Sequence, residues 1–506
     1  MNHEPAHPTL AHAVWAHAAN SPSDIALVQG NWSSTYAELR ERCERVAARL
    51  VQLGVEPGDR VVIVGHNSVG WVLTYLAGLR IGAVVSPANN RIDLDQFRRQ
   101  CDLLDARIVA HDAEHAHLAA ASGRPAHLLD DLAAGGGPGL SGEHPWPQPH
   151  DDAVISFTSG TTGAPKGAVL SHEAIGIAAQ MISDCVELGP GDSTLVLVPL
   201  FHNTGFNDQL GALLVAGGST HLLPRFRTAA ALAELRERPV TYLTAVPSIL
   251  RLLMVAEDAD AAYERARVVL FAGSPMPAAW SEELLDHWPH LTLLHGYGMT
   301  EFTAACTALP PELIGAKGES VGLPLPGVRI QVTRDDETPA AEGEIGEVWV
   351  EGPTRMTRYW EQPALTAAKI RGQWLRTGDL GYTDADGLLW LTGRVDDVIN
   401  RGGEKVLPSH VESTVAALPA VVEATVFAIA DPVLQERVGV AVVLRPGCDL
   451  DIDGARAQLL TQLPDYAVPE HWVVYDELPR TASGKSDRRA IARDYHEENN
   501  QCVHTQ

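Results

Sequence analysis

Positive charge is scarce in this 506-residue chain. Its 38 lysines and arginines stand against 64 aspartates and glutamates, a net charge of −26. An acidic surface of this kind disfavours nucleic acid and anionic membranes and favours solubility. Any nucleotide must therefore be held by a local cluster of positive groups. Cysteine is scarce too. Cys43, Cys101, Cys185, Cys306, Cys448 and Cys502 are scattered, with no close pairs. That spacing excludes a disulfide framework and a CxxC zinc site, and it points to a reducing compartment, the cytoplasm. No apolar run is long enough to cross a bilayer, so no membrane insertion is expected. Met1–Leu10 has no basic residue and no apolar core, so no secretion signal is expected there. The remaining composition is that of a globular protein, at a length that calls for more than one domain.

Histidine invites a metal reading twice. His12 and His17 fall in an early helical stretch, and His111, His115 and His117 share one segment. His111 and His115 have the spacing of one helix face. No carboxylate offers an obvious third ligand, and Ala-rich sequence surrounds them, so solvated surface histidines are expected.

The richest chemistry lies in Thr158-Ser159-Gly160-Thr161-Thr162-Gly163-Ala164-Pro165-Lys166-Gly167, directly after the apolar run Ala153–Phe157. The run reads as a buried strand. The loop suits a polyphosphate: glycines let backbone N–H groups approach, hydroxyls add neutral donors, and Lys166 supplies charge. It is not the common nucleoside-triphosphate loop, because Pro165 and Gly167 flank the lysine. A flexible linker is the bland alternative, but linkers seldom abut a buried strand.

From Arg60 to about Thr300, short apolar runs alternate with stretches of helical period. Strands are expected at Val61–Val64, Ala83–Ser86, Arg107–Ala110, Val154–Phe157, Thr194–Val198, Thr220–Leu223, Tyr242–Thr244, Val268–Phe271 and Leu291–Leu294. Helices are expected at Trp71–Leu79 and Ala229–Glu237. The alternation implies an α/β fold of mainly parallel, helix-covered sheets, with ligands beyond the carboxyl ends of the strands. Gly135–His150 reads as a surface connection. Val328–Val350 reads as a small β unit around the turn Glu342–Gly346. A separate, smaller α+β domain is expected at the C-terminus, with a helix at Pro408–Leu418, strands at Ala424–Ile429 and Val438–Leu444, and a helix at Ala455–Leu463. The expected domains are 1–395 and 396–506.

Further segments join the phosphate loop. His295-Gly296-Tyr297-Gly298-Met299-Thr300-Glu301 follows a strand, but Glu301 stands where a dinucleotide turn has its third glycine. A carboxylate there would repel pyrophosphate unless it binds magnesium. Asp379, between Gly378 and Gly381, reads as a turn residue able to accept ribose hydroxyls. Gly393-Arg394-Val395-Asp396 and Arg401-Gly402-Gly403 lie at the expected junction, and Ser483-Gly484-Lys485 lies near the C-terminus.

Taken in order, these segments resemble the adenylate-forming superfamily of acyl-CoA synthetases, peptide-synthetase adenylation domains and luciferases. The resemblance runs from near Leu10 to Lys485 and is greatest to acyl- and aryl-CoA ligases. It implies that ATP and a carboxylic acid give an acyl-adenylate and pyrophosphate, and that coenzyme A then displaces AMP. By resemblance, Thr158, Ser159, Gly160, Thr161, Thr162, Gly163 and Lys166 would hold the β- and γ-phosphates. Tyr297 would stack on adenine, with Gly296, Gly298 and Met299 around it. Thr300 would bond the α-phosphate, Glu301 would hold Mg²⁺, and Asp379 and Arg394 would fix the ribose. Lys485 would bridge the substrate carboxylate and the nucleotide. Asp396 would be the hinge of a mobile C-terminal domain, whose rotation exchanges Lys485 for Arg401, Gly402 and Gly403 beside the pantetheine.

Pro199–Gly205 resembles the segment whose histidine lies beside the acid. His202, Asn203, Thr204, Ala272, Gly273, Ser274, Gly298 and Met299 would line the acid pocket. Their small, polar character favours a compact aromatic or short functionalised acid. His202 as a packing residue is the alternative. His295 departs from the Asn, Gln or Asp frequent in relatives, and would contact either adenine or the acid. A carrier-protein thiol, an amine, or nitrite activation for diazotisation are alternative outcomes, as is a non-catalytic nucleotide-binding protein. The chain is expected to act as a monomer or homodimer.

Overall fold

The structure is a computed structural model that describes residues 9–134, 137–140, 144–158, 165–274, 276–303, 305–480 and 486–503, with side chains up to 496. Ser159, Gly160, Thr161, Thr162, Gly163 and Lys485 lie outside the described residues. The chain divides into two compact units. The larger holds Met1–Ile330, Trp349–Thr377 and Asp386–Leu389. The smaller holds Gln331–Val348, Gly378–Ala385 and Trp390–Gln506, so it takes in three short stretches ahead of residue 396, at 331–348, 378–385 and 390–395.

Two sheets build the larger unit. One runs in the order Arg358–Tyr359, Lys166–Ser171, Asp152–Thr158, Val84–Pro87, Arg60–Val64, Ile108–His111, Ala126–Leu128. It is parallel apart from the Lys166–Ser171 strand, which runs antiparallel to both neighbours. The other has Thr292–Gly298, Val268–Ala272, Tyr242–Ala245, Ser193–Val196, Ser219–Leu222 and Ile25–Gln29 as a parallel core, with antiparallel strands at both edges. Val/Ile/Leu-rich strands covered on both faces account for the continuous apolar runs. Helix Val69–Arg80, apolar all round, is buried along almost its whole length, as such a helix must be. Helix Tyr36–Gln52 starts on a capping box, Thr35 with Glu38.

Each expected strand between residues 61 and 294 is present, with ends shifted by a few residues. The largest shift is informative. Thr292–Gly298 continues through His295, Gly296, Tyr297 and Gly298, because partners lie on both sides: His295 pairs with Phe271 and with Leu309, and Gly296 with Ala272 and with Ala308. Ladder hydrogen bonds override the poor strand propensity of glycine. Asp379 also sits in a strand, Trp374–Thr383, and not on a turn. Gly378 bends that strand with a left-handed φ of +78°.

The smaller unit is α+β. Long strands Val421–Asp431 and Gln435–Leu444 form an antiparallel pair, and His471–Val474 adds in parallel. Helices Pro408–Ala416 and Ile452–Leu459 contribute Val411, Val415 and Leu459 to a core with Val426, Val438 and Val440.

Candidate active site

The phosphate-loop segment is bounded by a tight antiparallel strand pair. Thr158 lies opposite Lys166, Phe157 opposite Gly167 and Ser156 opposite Ala168. Register therefore fixes Lys166, half-buried, at the start of the return strand. Gly167 is required there: a Cβ would stand 2.7 Å from Ile155 Cγ2 and 3.3 Å from the Phe157 ring.

Glu301 reaches the same strand pair from the other sheet. Thr300–Phe302 form one 3₁₀ turn after Gly298. Tyr359 donates its hydroxyl to Glu301 Oε1 at 2.8 Å, and the Met356 N–H donates to the Glu301 carbonyl at 2.8 Å. Tyr359 pairs with Ala168, two residues from Lys166. The next residue after the turn, Thr303, is buried at φ +64°, a strained setting for a β-branched residue. Its hydroxyl donates to the Thr354 carbonyl at 2.7 Å.

Asn203 ties these parts together. Its Oδ1 accepts from Ser156 Oγ at 3.0 Å, and its Nδ2 donates to the Thr303 carbonyl at 2.5 Å. Three segments far apart in sequence thus meet at the carboxyl edge of the sheets. Ser156, Thr303 and Tyr359 had no signal in the sequence. Tyr359 lies 58 residues beyond the carboxylate it orients.

His202 is exposed, although protein packs closely around its ring. Enclosure by protein lowers its pKa to about 4, with Arg91 adding a smaller push. The ring is therefore neutral at physiological pH and offers hydrogen bonds, not charge. The chain then enters a π-helical turn, Thr204–Gly211, a rare element that concentrates at functional sites. Strand Val268–Ala272 ends at Ala272, and Gly273, at φ +87°, and Ser274 follow it in a bend. Gly298 is exposed and Met299 half-buried, while Tyr297 is largely buried. His295 is buried in the sheet. Its ring stacks on Phe271 at 4.5 Å, its Nδ1 meets the Gly318 carbonyl at 3.2 Å, and burial lowers its pKa.

In the smaller unit, Arg394 Nε lies 3.6 Å from Asp379 Oδ1. Asp396 is exposed in the 3₁₀ turn Val395–Asp397. Arg401 pairs with Glu470 at 2.5 Å, and Gly402 and Gly403 form the exposed tip of the hairpin between Ile399–Arg401 and Glu404–Val406.

The surface reading holds for His117, which is exposed, and is corrected for His111 and His115. His111 ends a central strand and His115 caps a short helix, so they share no helix face, and both are buried. A carboxylate is present after all: Asp112 Oδ1 lies 2.6 Å from His115 Nδ1, and donor atoms of His66, Asp112 and His115 lie within 4.8 Å of one another. Arg225 is bonded to both His66 and Glu114 there, which places a cation against the cluster already.

Residues 14–360 match the family model described as AMP-binding enzyme, and residues 410–485 match that of the AMP-binding enzyme C-terminal domain. The chain belongs to the AMP-binding enzyme family. This AMP-binding enzyme is 32% identical over 486 residues to a feruloyl-CoA synthase of an Amycolatopsis species, covering 94% of this chain and 97% of the relative. It is 32% identical over 480 residues to a 2-succinylbenzoate–CoA ligase of Geobacillus kaustophilus, covering 94% and 95%. Among solved structures, ATP-bound MatB from Rhodopseudomonas palustris superposes with a TM-score of 0.88 at 29% identity, covering 97% of this chain and 99% of that one. The o-succinylbenzoate–CoA synthetase MenE of Bacillus subtilis, in complex with ATP and magnesium, gives 0.84 at 28% identity, covering 95% and 99%.

Proposed function

We propose that this enzyme joins a small carboxylic acid to coenzyme A, with ATP cleaved to AMP and pyrophosphate. A carboxylate oxygen attacks the α-phosphorus and pyrophosphate leaves. The coenzyme A sulfur then attacks the acyl carbon of the adenylate and AMP leaves. The observation that carries the reading is the meeting of the Thr158/Lys166 strand pair, the Tyr359-held Glu301 and the Asn203 bridge at one sheet edge. The relatives named as acid–CoA ligases support it along almost the whole chain.

Two anions must meet in this chemistry, so charge must be neutralised where it builds up. Lys166 and the loop before it grip the leaving pyrophosphate. Glu301 suits a hard, oxygen-seeking cation: it is a half-buried carboxylate with one oxygen held by Tyr359. Magnesium bound there supplies charge neutralisation on the phosphates. Thr300 bonds the α-phosphate, Tyr297 lies against adenine, and Asp379 with Arg394 holds the ribose. Lys485 serves adenylation alone, and Arg401, Gly402 and Gly403 serve the thioester step after the 396–506 domain turns about Asp396. His202, neutral, orients the acid carboxylate by hydrogen bonding. The acid is a compact aromatic or short functionalised one, and the enzyme works in the cytoplasm as a monomer or homodimer. Among the described residues no helix is long and apolar enough to cross a membrane. The test is acid-dependent release of AMP and pyrophosphate across a panel of carboxylic acids, with thioester appearing only when coenzyme A is added. ADP and phosphate as sole products would overturn the reading.

A further inference from the structure

A second group of chemically distinctive side chains takes no part in the proposed reaction. The parallel pairing of Arg60–Val64 with Ile108–His111 brings together His66 and Asp112, which follow these two strands. The His66 N–H donates to Asp112 Oδ2 at 2.8 Å. Asp112 Oδ1 accepts from the His115 N–H at 2.9 Å and lies 2.6 Å from His115 Nδ1. Arg225 follows strand Ser219–Leu222 of the other sheet. Its Nε lies 2.9 Å from His66 Nε2, and its Nη2 donates to Glu114. The His66 and His115 rings meet edge to face, 4.8 Å between centroids.

Hydrogen-bond chemistry decides where the lone pairs are. An ionised Asp112 can only accept, so His115 Nδ1 carries the proton and the neutral ring has its lone pair on Nε2. His66 faces a donor at each nitrogen, Asn90 Nδ2 at 3.1 Å and Arg225 Nε at 2.9 Å, yet a neutral imidazole accepts at only one. The guanidinium has no acceptor to offer, whereas the Asn90 amide has. Turned over, with loss of its 3.2 Å contact to the Gly65 carbonyl, the amide presents Oδ1 to a proton on His66 Nδ1. Each ring then has its Nδ1–H held by a side-chain oxygen and its lone pair on Nε2. That is how a metal-ligating histidine is held. Glu114 adds a carboxylate, with Oε2 3.5 Å from His66 Nε2. Ligands about 2.0–2.1 Å from a tetrahedral zinc ion stand about 3.3 Å apart, so this pair already has the required spacing.

We infer that His66, Glu114 and His115 form a site for a divalent transition metal of the zinc class, with Asp112 and Asn90 orienting the two rings, and that Arg225 is the cation this metal displaces. Two imidazole nitrogens and one carboxylate suit zinc, cobalt or nickel, and not magnesium, which takes oxygen ligands. Arg225 is able to yield. It is exposed, and an exposed ion pair shifts an equilibrium by about fivefold at most. Two carboxylates, Asp112 and Glu114, stand against its single positive charge. A divalent ion in its place balances both.

The experiment titrates the metal-stripped full chain with Co²⁺, read by visible d–d absorption, and with Zn²⁺, read by calorimetry, both in excess Mg²⁺. One equivalent should bind, and Co²⁺ should show the intense absorption of a four- or five-coordinate ion. His66→Gln, Glu114→Gln and His115→Gln should each weaken binding about tenfold or more. Glu114 is exposed and His66 half-buried, so these two variants carry the test if His115→Gln fails to fold. Arg225→Ala should tighten binding about threefold or more, because the competing cation is gone. The inference is overturned if less than one equivalent binds or if Mg²⁺ abolishes binding. It is also overturned if affinity and spectrum are unchanged in folded His66→Gln and Glu114→Gln, which would assign the metal to others of the 21 histidines. An Arg225→Ala variant that binds no more tightly than the unaltered enzyme overturns the exchange.

Discussion

Replacing Asn203 with alanine removes two hydrogen bonds at once, the one accepted from Ser156 and the one donated to the Thr303 carbonyl. Ser156 and Thr303 are both buried, so neither can turn to bulk water. A net loss of about 1 kcal/mol per bond, with some penalty for the orphaned partners, gives about 2–3 kcal/mol of stability. The larger effect should be on rate. Thr303 holds a left-handed φ that costs about 1–3 kcal/mol, and it persists only while its neighbours impose it. The Thr354 contact and Asn203 hold it from outside the turn, while its own N–H donates back to the Thr300 carbonyl at 3.1 Å. Without Asn203 the turn Thr300–Phe302 is free to relax, and Glu301 moves with it. A displacement of about 1 Å at a reacting site costs on the order of a hundredfold. Urea unfolding would give the stability change, and pyrophosphate release at saturating acid would give the rate. Ser156→Ala is the comparison: it loses one bond, should cost about 1 kcal/mol, and should leave the rate within a few-fold. The reasoning is refuted if Asn203→Ala loses stability as expected yet keeps a rate within about threefold of the unaltered enzyme.

Glu301→Gln should raise the magnesium concentration needed for half-maximal rate by tenfold or more without shifting the urea midpoint, and an unchanged magnesium dependence would remove Glu301 from the metal site. Lys166→Ala should slow the ATP-dependent step while acid binding, read by calorimetry, stays the same. Lys485→Ala should cost about a hundred- to a thousandfold in adenylate formation, yet a supplied acyl-adenylate should still react with coenzyme A, and equal losses in both would argue against separate roles for the two steps. Stability should fall in acid through His172, which is buried with its Nε2 unpartnered and has its pKa lowered by burial to about 4. The unfolded chain binds that proton below about 6.5, so its contribution is whole above pH 6.5 and is lost as pH falls through 4, about 3 kcal/mol in all. His172→Gln should flatten the urea midpoint between pH 7 and 4.5.

The parts of the fold that were legible in the sequence are those set by period and punctuation. Val61–Val64 and Val268–Phe271 are buried on both faces, and nothing else in their surroundings competes with a strand. Boundaries failed where a partner strand decided them. His295–Gly298 contains two glycines and reads as loop, but it is held in the ladder from both sides. The histidine segment failed for a related reason. His66 lies 46 residues from Asp112, and only the pairing of Arg60–Val64 with Ile108–His111 brings them together. At the candidate site the sequence showed the residues with distinctive chemistry, such as Lys166 and Glu301. It could not show those that position them. Asn203 was visible as a pocket wall, but its bridging role depends on two strand ends and a strained turn that no local pattern encodes.

The strand pair around the phosphate-loop segment also explains why so few charges must do so much. A loop that opens a helix can hold phosphate with the helix N-terminus, whose partial positive charge acts within the first turn. Here Lys166 begins a strand, and the next helix, His172–Cys185, starts only after that strand ends at Ser171. Six residues of strand put its N-terminus about 20 Å from Lys166, well beyond the reach of its dipole. Backbone and hydroxyl donors of the loop are neutral, and the protein as a whole carries −26. On the proposed function, the charge that opposes the triphosphate therefore comes from individual cations: Lys166, an ion that Glu301 would hold, and Lys485. Among the described residues no helix starts at Lys166, so on the proposed function removal of any one of these cations leaves a large fraction of the anionic charge uncompensated. On that same reading, single substitutions at these three positions should therefore each slow adenylate formation steeply and not merely add up to a gradual weakening of ATP binding.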